Sequence, residues 1–228
     1  MCGRFILVAK AKDLAQHFGI PLEEAIEMCQ ADEVARLNVA PTQNVLFVRN
    51  EQGERHLAQG RWGLVPSWTK ALDQNRLTFN ARLETAARLP TFRSAWRQRR
   101  CIVPATGFWE WQDVGTKKKL KHKVSPTSGP FLAMAGLWDS WTNPSDGEVL
   151  ESTTILTTDA AGAIRQIHHR MPVLLATSDW DAWLNPEFDD PAGLPSLRAE
   201  SHVDELRTEP AEPPPPASDR PRQGTFWD

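Results

Sequence analysis

The 228-residue sequence has no tyrosine, only three cysteines, and no apolar run near the ~20 residues that span a bilayer. Each absence excludes something. Cys2, Cys29 and Cys101 are odd in number and widely spaced, which suits a reducing compartment and neither a disulfide framework nor a zinc site. No basic segment leads into an apolar stretch and a small-residue cleavage site at the N-terminus, so a cytoplasmic protein without a membrane segment is expected. P-loop and dinucleotide fingerprints are absent, and the adjacent His168 and His169 are not a chelating pair. Neither a cofactor nor a metal is therefore expected.

A hydrophobic content of 40% is enough for a core, and the length suits one large domain. The net charge of −3 conceals an asymmetry. Residues 1–138 hold 20 Lys+Arg against 12 Asp+Glu, a balance of +8, while residues 139–228 hold 6 against 17, a balance of −11. A basic body of this kind is compatible with a polyanionic partner. Ten tryptophans supply broad faces on which unpaired bases stack, although most tryptophans in any domain belong to its core.

Hydrophobic periodicity predicts a strand over 4–8, helices over 12–18 and 22–29, and a hairpin of 45–49 with 56–62 about the turn 50–53. A helix follows over 91–99, then strands over 101–103, 107–114, 121–124, 131–141 and 148–157, with turns at 115–117, 126–129 and 143–147. Helices over 160–167 and 179–184 complete the set. Short strands joined by hairpin turns imply an α+β fold, a single domain with a mostly antiparallel β body and peripheral helices. The domain is expected over 2–208, and the proline- and acid-rich stretch 209–228 reads as a disordered tail.

Polar residues stand among aromatics and turn-formers at four islands. If Met1 is removed, Cys2 becomes a 1,2-aminothiol, whose amine condenses with an aldehyde and whose thiol closes a thiazolidine on the same carbon. Glu110, between Trp109 and Trp111, has either the apolar setting that raises a carboxyl pKa or a solvent-facing strand position opposite two inward tryptophans. His168 is a proton-transfer candidate or a hydrogen-bonded structural residue. Asn80 and Arg82 share a face if their segment is extended, although Arg82 with Glu84 equally suits a surface ion pair.

Six motifs in order, Cys-Gly-Arg-Phe at 2–5, Asn-Val-Ala-Pro at 38–41, Trp-Gly-Leu-Val-Pro-Ser-Trp at 62–68, Asn-Ala-Arg-Leu-Glu-Thr at 80–85, Phe-Trp-Glu-Trp at 108–111 and Ile-His-His-Arg-Met-Pro at 167–172, resemble the SOS-response-associated peptidase family of abasic-site processing proteins. The resemblance covers roughly residues 2–185. It implies a barrel-like β core and a monomer that binds single-stranded DNA, associates with the nucleoid and captures abasic sites covalently. It further implies Cys2 as the crosslinking residue, with Asn80, Glu110 and His168 as its polar partners. Arg4, Arg82 and Arg170 correspond to phosphate contacts, Trp68 to a wedge at a strand-to-duplex junction, and Gly3, Asn38, Pro41 and Trp111 to further DNA-binding positions. From Leu206 onward the sequence departs from the family's usual closing segment, which puts the last strand in question. The expected activity is lyase-like DNA–protein crosslinking, with autoproteolytic peptidase activity beside it. Two other readings use the same residues: a cysteine hydrolase built on Cys2, His168 and Glu110, and a non-covalent single-strand binding module.

Overall fold

Apolar spacing and turn chemistry shape the first half of the chain. In the computed structural model, which describes residues 2–29, 32–73, 78–115 and 119–211, strand β1 (Phe5–Lys10) runs directly into helix α1 (Ala11–Phe18). Helix α1 buries Leu14, Ala15 and Phe18 along one face and stops at Gly19, which takes φ 66° and returns its amide to Ala15 O. Helix α2 (Leu22–Cys29) and strand β2 (Glu33–Val39) follow, β2 pairing antiparallel with β1. Strands β3 (Asn44–Glu51) and β4 (Glu54–Trp62) form the expected hairpin, whose turn residues Gln52 and Gly53 both have positive φ, 54° and 95°, as a twisted two-residue turn requires.

Next come β5 (Asn80–Arg82), helices α3 (Leu83–Ala86) and α4 (Arg93–Gln98), and strands β6 (Arg100–Ala105), β7 (Gly107–Gln112), β8 (Leu120–Pro126), β9 (Leu132–Thr142) and β10 (Val149–Asp159). Short β11 (Arg170–Pro172), helix α5 (Trp180–Leu184) and β12 (Leu206–Pro210) end the described chain.

Five of these strands close a barrel in the order β4, β3, β6, β9, β10, with β10 returning to β4 through a parallel contact at Ser152↔Arg61 and Thr153↔Trp62. Closure brings backbones close together. A Cβ at Gly136 would lie 2.9 Å from Cys101 Sγ and 3.0 Å from Thr154 O, so the β9 seam requires glycine there. Phe47, Val48, Trp62, Ile102 and Leu137 are fully buried, on one or the other face of the barrel strands. Beside the barrel lies a five-stranded sheet in the order β12, β8, β7, β1, β2. The two are joined at Phe5, whose ring meets Trp62 edge-on at 5.1 Å. The fold is thus a single α+β domain with a barrel core.

Strand β10 outruns the barrel, and this extension organises the functional face. Its later residues pair with β5 (Ile155↔Asn80, Thr157↔Arg82) and with β11 (Asp159↔Arg170). Asn80 and the segment that delivers His168 therefore hang on one strand.

Some expectations change. The helix read over 160–167 is a short 3-10 turn, Gly162–Gln166. The last strand, put in question by the unusual C-terminus, is present: β12 pairs antiparallel with β8 from Leu206↔Pro126 to Pro210↔His122. The boundary drawn at 208 from proline content falls inside that strand, because its backbone still bonds to β8 up to Ala211 N→Lys121 O. Residues 212–228 of the expected tail, and Thr116 and Lys117 of the expected turn, lie outside the described residues.

Arg100 is a buried charge that the sequence did not signal. Its guanidinium donates to Trp183 O at 2.6 Å, Trp96 O at 2.7 Å and Arg97 O at 2.9 Å, and also to Asn185 O. It caps the open carbonyls at the ends of α4 and α5, while burial lowers its pKa to about 10. Among the described residues no helix is long and apolar enough to cross a membrane.

The barrel seam gives a first test. Gly136→Ala should lower the stability to urea by about 1–3 kcal/mol, the usual range for overpacking a close strand contact. An unchanged midpoint would mean the seam is looser than described.

Candidate active site at the N-terminal strand

Backbone pairing brings the first residues into the protein. Phe5 and Ile6 pair with Phe108 and Gly107, and Trp109 N donates to Arg4 O at 2.9 Å, so the chain before β1 continues antiparallel along β7 toward Glu110. Cys2 is 0% exposed. Its carbonyl accepts a 2.8 Å hydrogen bond from Asn80 Nδ2, which ties the N-terminal strand to the β5 edge of β10.

Alternation on β7 resolves in one sense. Glu110 points inward and is 2% exposed, while Trp109 and Trp111 are half-buried on the opposite face with Lys121 Nζ 3.7 Å and 5.6 Å from their ring centres. Burial raises the Glu110 pKa to about 7, against the lowering effect of the positive chain terminus and a hydrogen bond from the Trp111 backbone. The Cys2 thiol is pushed well above its ordinary value, first by burial and then by the Glu110 charge.

His168 stands where the 3-10 turn enters β11. Its Nδ1 lies 3.0 Å from Arg170 N and 3.1 Å from Arg170 O. The neutral ring therefore accepts the Arg170 N–H and keeps its own proton on Nε2, and the charged ring finds a partner in the carbonyl. Burial lowers the His168 pKa, and the positive chain terminus lowers it further. That terminal charge lowers the pKa of Cys2, Glu110 and His168 alike.

Two acceptors in this place, Glu110 Oε1 and Asn80 Oδ1, are buried with no hydrogen-bond partner among the described residues. A buried acceptor left unsatisfied costs about 1–3 kcal/mol, and such atoms are rare unless a ligand meets them.

The remaining sequence candidates separate. Arg82 is exposed, Trp68 is 56% exposed, Asn38 is exposed on β2, and Gly3, Arg4, Pro41 and Trp111 are half-buried. Arg170 differs from its expected role as a phosphate contact. It is buried, bidentate on Glu84 at 2.7 and 3.0 Å, and bound to Asp159 at 2.6 Å and Thr157 O at 2.6 Å. The ion pair weighed for Arg82 and Glu84 is thus formed by Arg170. Sequence reading also missed His122, which lies directly opposite Glu110, and Gln112, which joins His122 Nε2 at 3.0 Å to Gln166 O at 3.1 Å. The signal for His122 was its alternation with Lys121 and Lys123, which puts it on the inner face with Val124.

Comparison with known proteins identifies chains similar to this one. The family described as SOS response associated peptidase (SRAP) matches residues 1–213. The chain is 35% identical over 206 residues to the abasic site processing protein YoqW of Bacillus subtilis, covering 90% of each. It is 36% identical over 168 residues to the abasic site processing protein HMCES of Pongo abelii, covering 59% of this chain and 48% of that one. A crystal structure of a protein from Bacteroides thetaiotaomicron superposes with a TM-score of 0.77 at 25% identity, covering 92% of each chain.

The raised Glu110 pKa carries a linkage consequence. The unfolded carboxyl ionises near 4.5 and the native one near 7, so the native state binds more protons between these values and Glu110 lowers stability as pH rises through them. Glu110→Gln should therefore unfold at a higher temperature than wild type at pH 8, with the gap closing by pH 5. Equal melting at pH 8 would mean that the carboxylate is not desolvated.

Proposed function

The chain belongs to the SOS response associated peptidase family, and on that premise we propose that it captures abasic sites in single-stranded DNA as a thiazolidine on Cys2. The observation that carries this reading is a fully buried Cys2 beside two unpartnered buried acceptors, Glu110 Oε1 and Asn80 Oδ1.

With Met1 removed, the Cys2 α-amine replaces the initiator residue as the terminal charge. Glu110, half-ionised near neutrality, takes a proton from the ammonium, and the free amine attacks the C1′ aldehyde of the opened deoxyribose. His168 hydrogen-bonds the ring oxygen through its Nε2–H as the sugar opens, and the C1′ hydroxyl proton passes to that oxygen, so the ring opens to the aldehyde with the imidazole still neutral. Glu110 returns its proton to the carbinolamine hydroxyl, which leaves as water, and a cationic iminium remains. The buried thiol stays protonated until that positive charge appears beside it. It then loses its proton to the carboxylate and adds to the iminium carbon, which gives a neutral thiazolidine. Aldehyde plus aminothiol thus becomes thiazolidine plus water. Ring closure removes the iminium that would otherwise promote β-elimination and strand breakage.

Asn80 holds the Cys2 carbonyl with its amide nitrogen and offers Oδ1 to a sugar hydroxyl. Arg82 and Arg4 meet phosphates, with Gly3, Asn38, Pro41 and Trp111 around the strand and Trp68 at its junction with duplex. Arg170 holds His168 and the β5 to α3 corner through Glu84, a positioning role. A thiol hydrolase is disfavoured on the same geometry, because its nucleophile needs a depressed thiol pKa and that of Cys2 is raised.

Wild type should give a heat-resistant adduct with abasic single strands and none with intact ones, at a rate that climbs as pH rises through about 7, the value at which Glu110 loses its proton. Cys2→Ser and Cys2→Ala keep an amine, so they should show conjugate only when borohydride traps the imine. Equal, untrapped adduct from all three proteins on a denaturing gel would refute the thiazolidine. Arg82→Ala should weaken binding to intact and abasic strands alike and shallow the log–log salt dependence by about 0.7. An unchanged slope would remove Arg82 from the DNA path.

A further inference from the structure

A buried carboxylate, a buried hydroxyl and a buried indole N–H lie behind the loop that carries Trp68, and the capture chemistry uses none of them. Asp139 on β9 is 3% exposed and Ser152 on β10 is 0% exposed. Ser152 Oγ accepts from Val65 N at 2.8 Å, Asp139 Oδ2 accepts from Ser67 N at 3.1 Å, and Trp141 Nε1 donates to Thr69 O at 2.6 Å. Alternate residues of the loop, 65, 67 and 69, are therefore each held by a barrel side chain, and Thr69 N closes the loop on Pro66 O at 2.9 Å. Asp139 is itself fixed, accepting from Ser140 N at 2.9 Å through Oδ1, which lies 3.1 Å from Arg99 Nε.

The residue between these anchors points away from the barrel. Trp68 is 56% exposed, among the most exposed large apolar side chains described. Stability alone would favour apolar residues at 139 and 152, since burying a carboxylate carries a desolvation cost that its partners only offset. Satisfying three backbone groups of a surface loop does something else. It fixes the backbone under an exposed indole, so that ordering this loop is no part of the cost of stacking on a ligand.

We infer that Asp139, Trp141 and Ser152 are positioning residues that hold Trp68 as a preorganised stacking plate for a nucleobase. This rests on the reading of Trp68 as a DNA contact. The barrel that delivers Asn80 to Cys2 through β10 thereby also sets the plate's height and tilt, because Asp139 and Ser152 are register partners on β9 and β10.

A double-mutant cycle tests it on the full chain. The probe is an oligonucleotide with a tetrahydrofuran abasic analogue in a single strand next to duplex, which binds but cannot crosslink. Asp139→Asn disturbs the pair with Arg99 as well as the loop, so Trp141→Phe and Ser152→Ala, which leave that pair intact, carry the measurement, and thermal melts confirm folding. Trp68→Ala should weaken binding about 5- to 100-fold, the range for loss of one aromatic stack. Each anchor variant should weaken it about 3- to 10-fold in the wild-type background and by less than about twofold once Trp68 is alanine, since coupled residues are not additive. Anchor variants that bind like wild type, or that lose equally in both backgrounds, would overturn the inference. No effect of Trp68→Ala would overturn it too, while covalent adduct from wild type would show that the capture reading stands independently.

Discussion

Cys2 is a chain-end residue that has been made part of a core. The hydrogen bond from Asn80 Nδ2 to its carbonyl, together with the run of β1 along β7, keeps it fully buried. Terminal residues usually fray, because little is gained by ordering them. Here the first strand is sealed at Phe5 against Trp62 of the barrel, and the last fixed point before the terminus is an amide carried by β5. The barrel therefore matters to the chemistry for a specific reason. β10 pairs with β9 and β4 to close it and then continues outward to β5 and β11, so one strand sets the position of Asn80 and of the segment ending in His168.

Burial then does the electrostatic work. A carboxyl displaced to about 7 can accept and return a proton near neutrality, and a thiol displaced upward stays neutral until a cation forms next to it. Both shifts have desolvation as their largest cause. In the proposed capture, the order of events, amine first and sulfur second, follows from that environment. Arg170 shows the same economy, its two guanidinium Nη atoms held by Glu84, Asp159 and Thr157 O while its backbone N–H and C=O flank His168 Nδ1.

Local pattern made much of this legible and long-range pairing hid the rest. Leu14 and Phe18 announced α1, and Asn50 to Gly53 announced the β3–β4 hairpin, because each is a contact between near neighbours in sequence. Strand β2 was missed because Glu33, Arg36 and Asn38 give an edge strand no clean apolar alternation. β5 is three residues long and exists only through its parallel partner, which no local rule reveals. Barrel closure is a matter of the same kind, visible in retrospect as glycine at 136. Cys2, Asn80, Glu110 and His168 were nominated as site residues from motif and chemistry. The inward sense of Glu110 was not evident, because alternation fixes which residues share a face without saying which face is wet. Arg170 was misassigned because a motif arginine reads as a phosphate contact until its carboxylate partners, 86 and 11 residues away, are seen.

The central claim is that both groups of Cys2, amine and thiol, end in one ring. Peptide-level mass spectrometry of the wild-type adduct formed on an abasic single strand, with and without borohydride, addresses it directly. The account requires that the modified peptide begins at Cys2 without Met1, contains no free thiol at that residue, and has the same mass in both samples. A mass increased by two hydrogens after borohydride, or an adduct on a lysine with Cys2 unmodified, would contradict it.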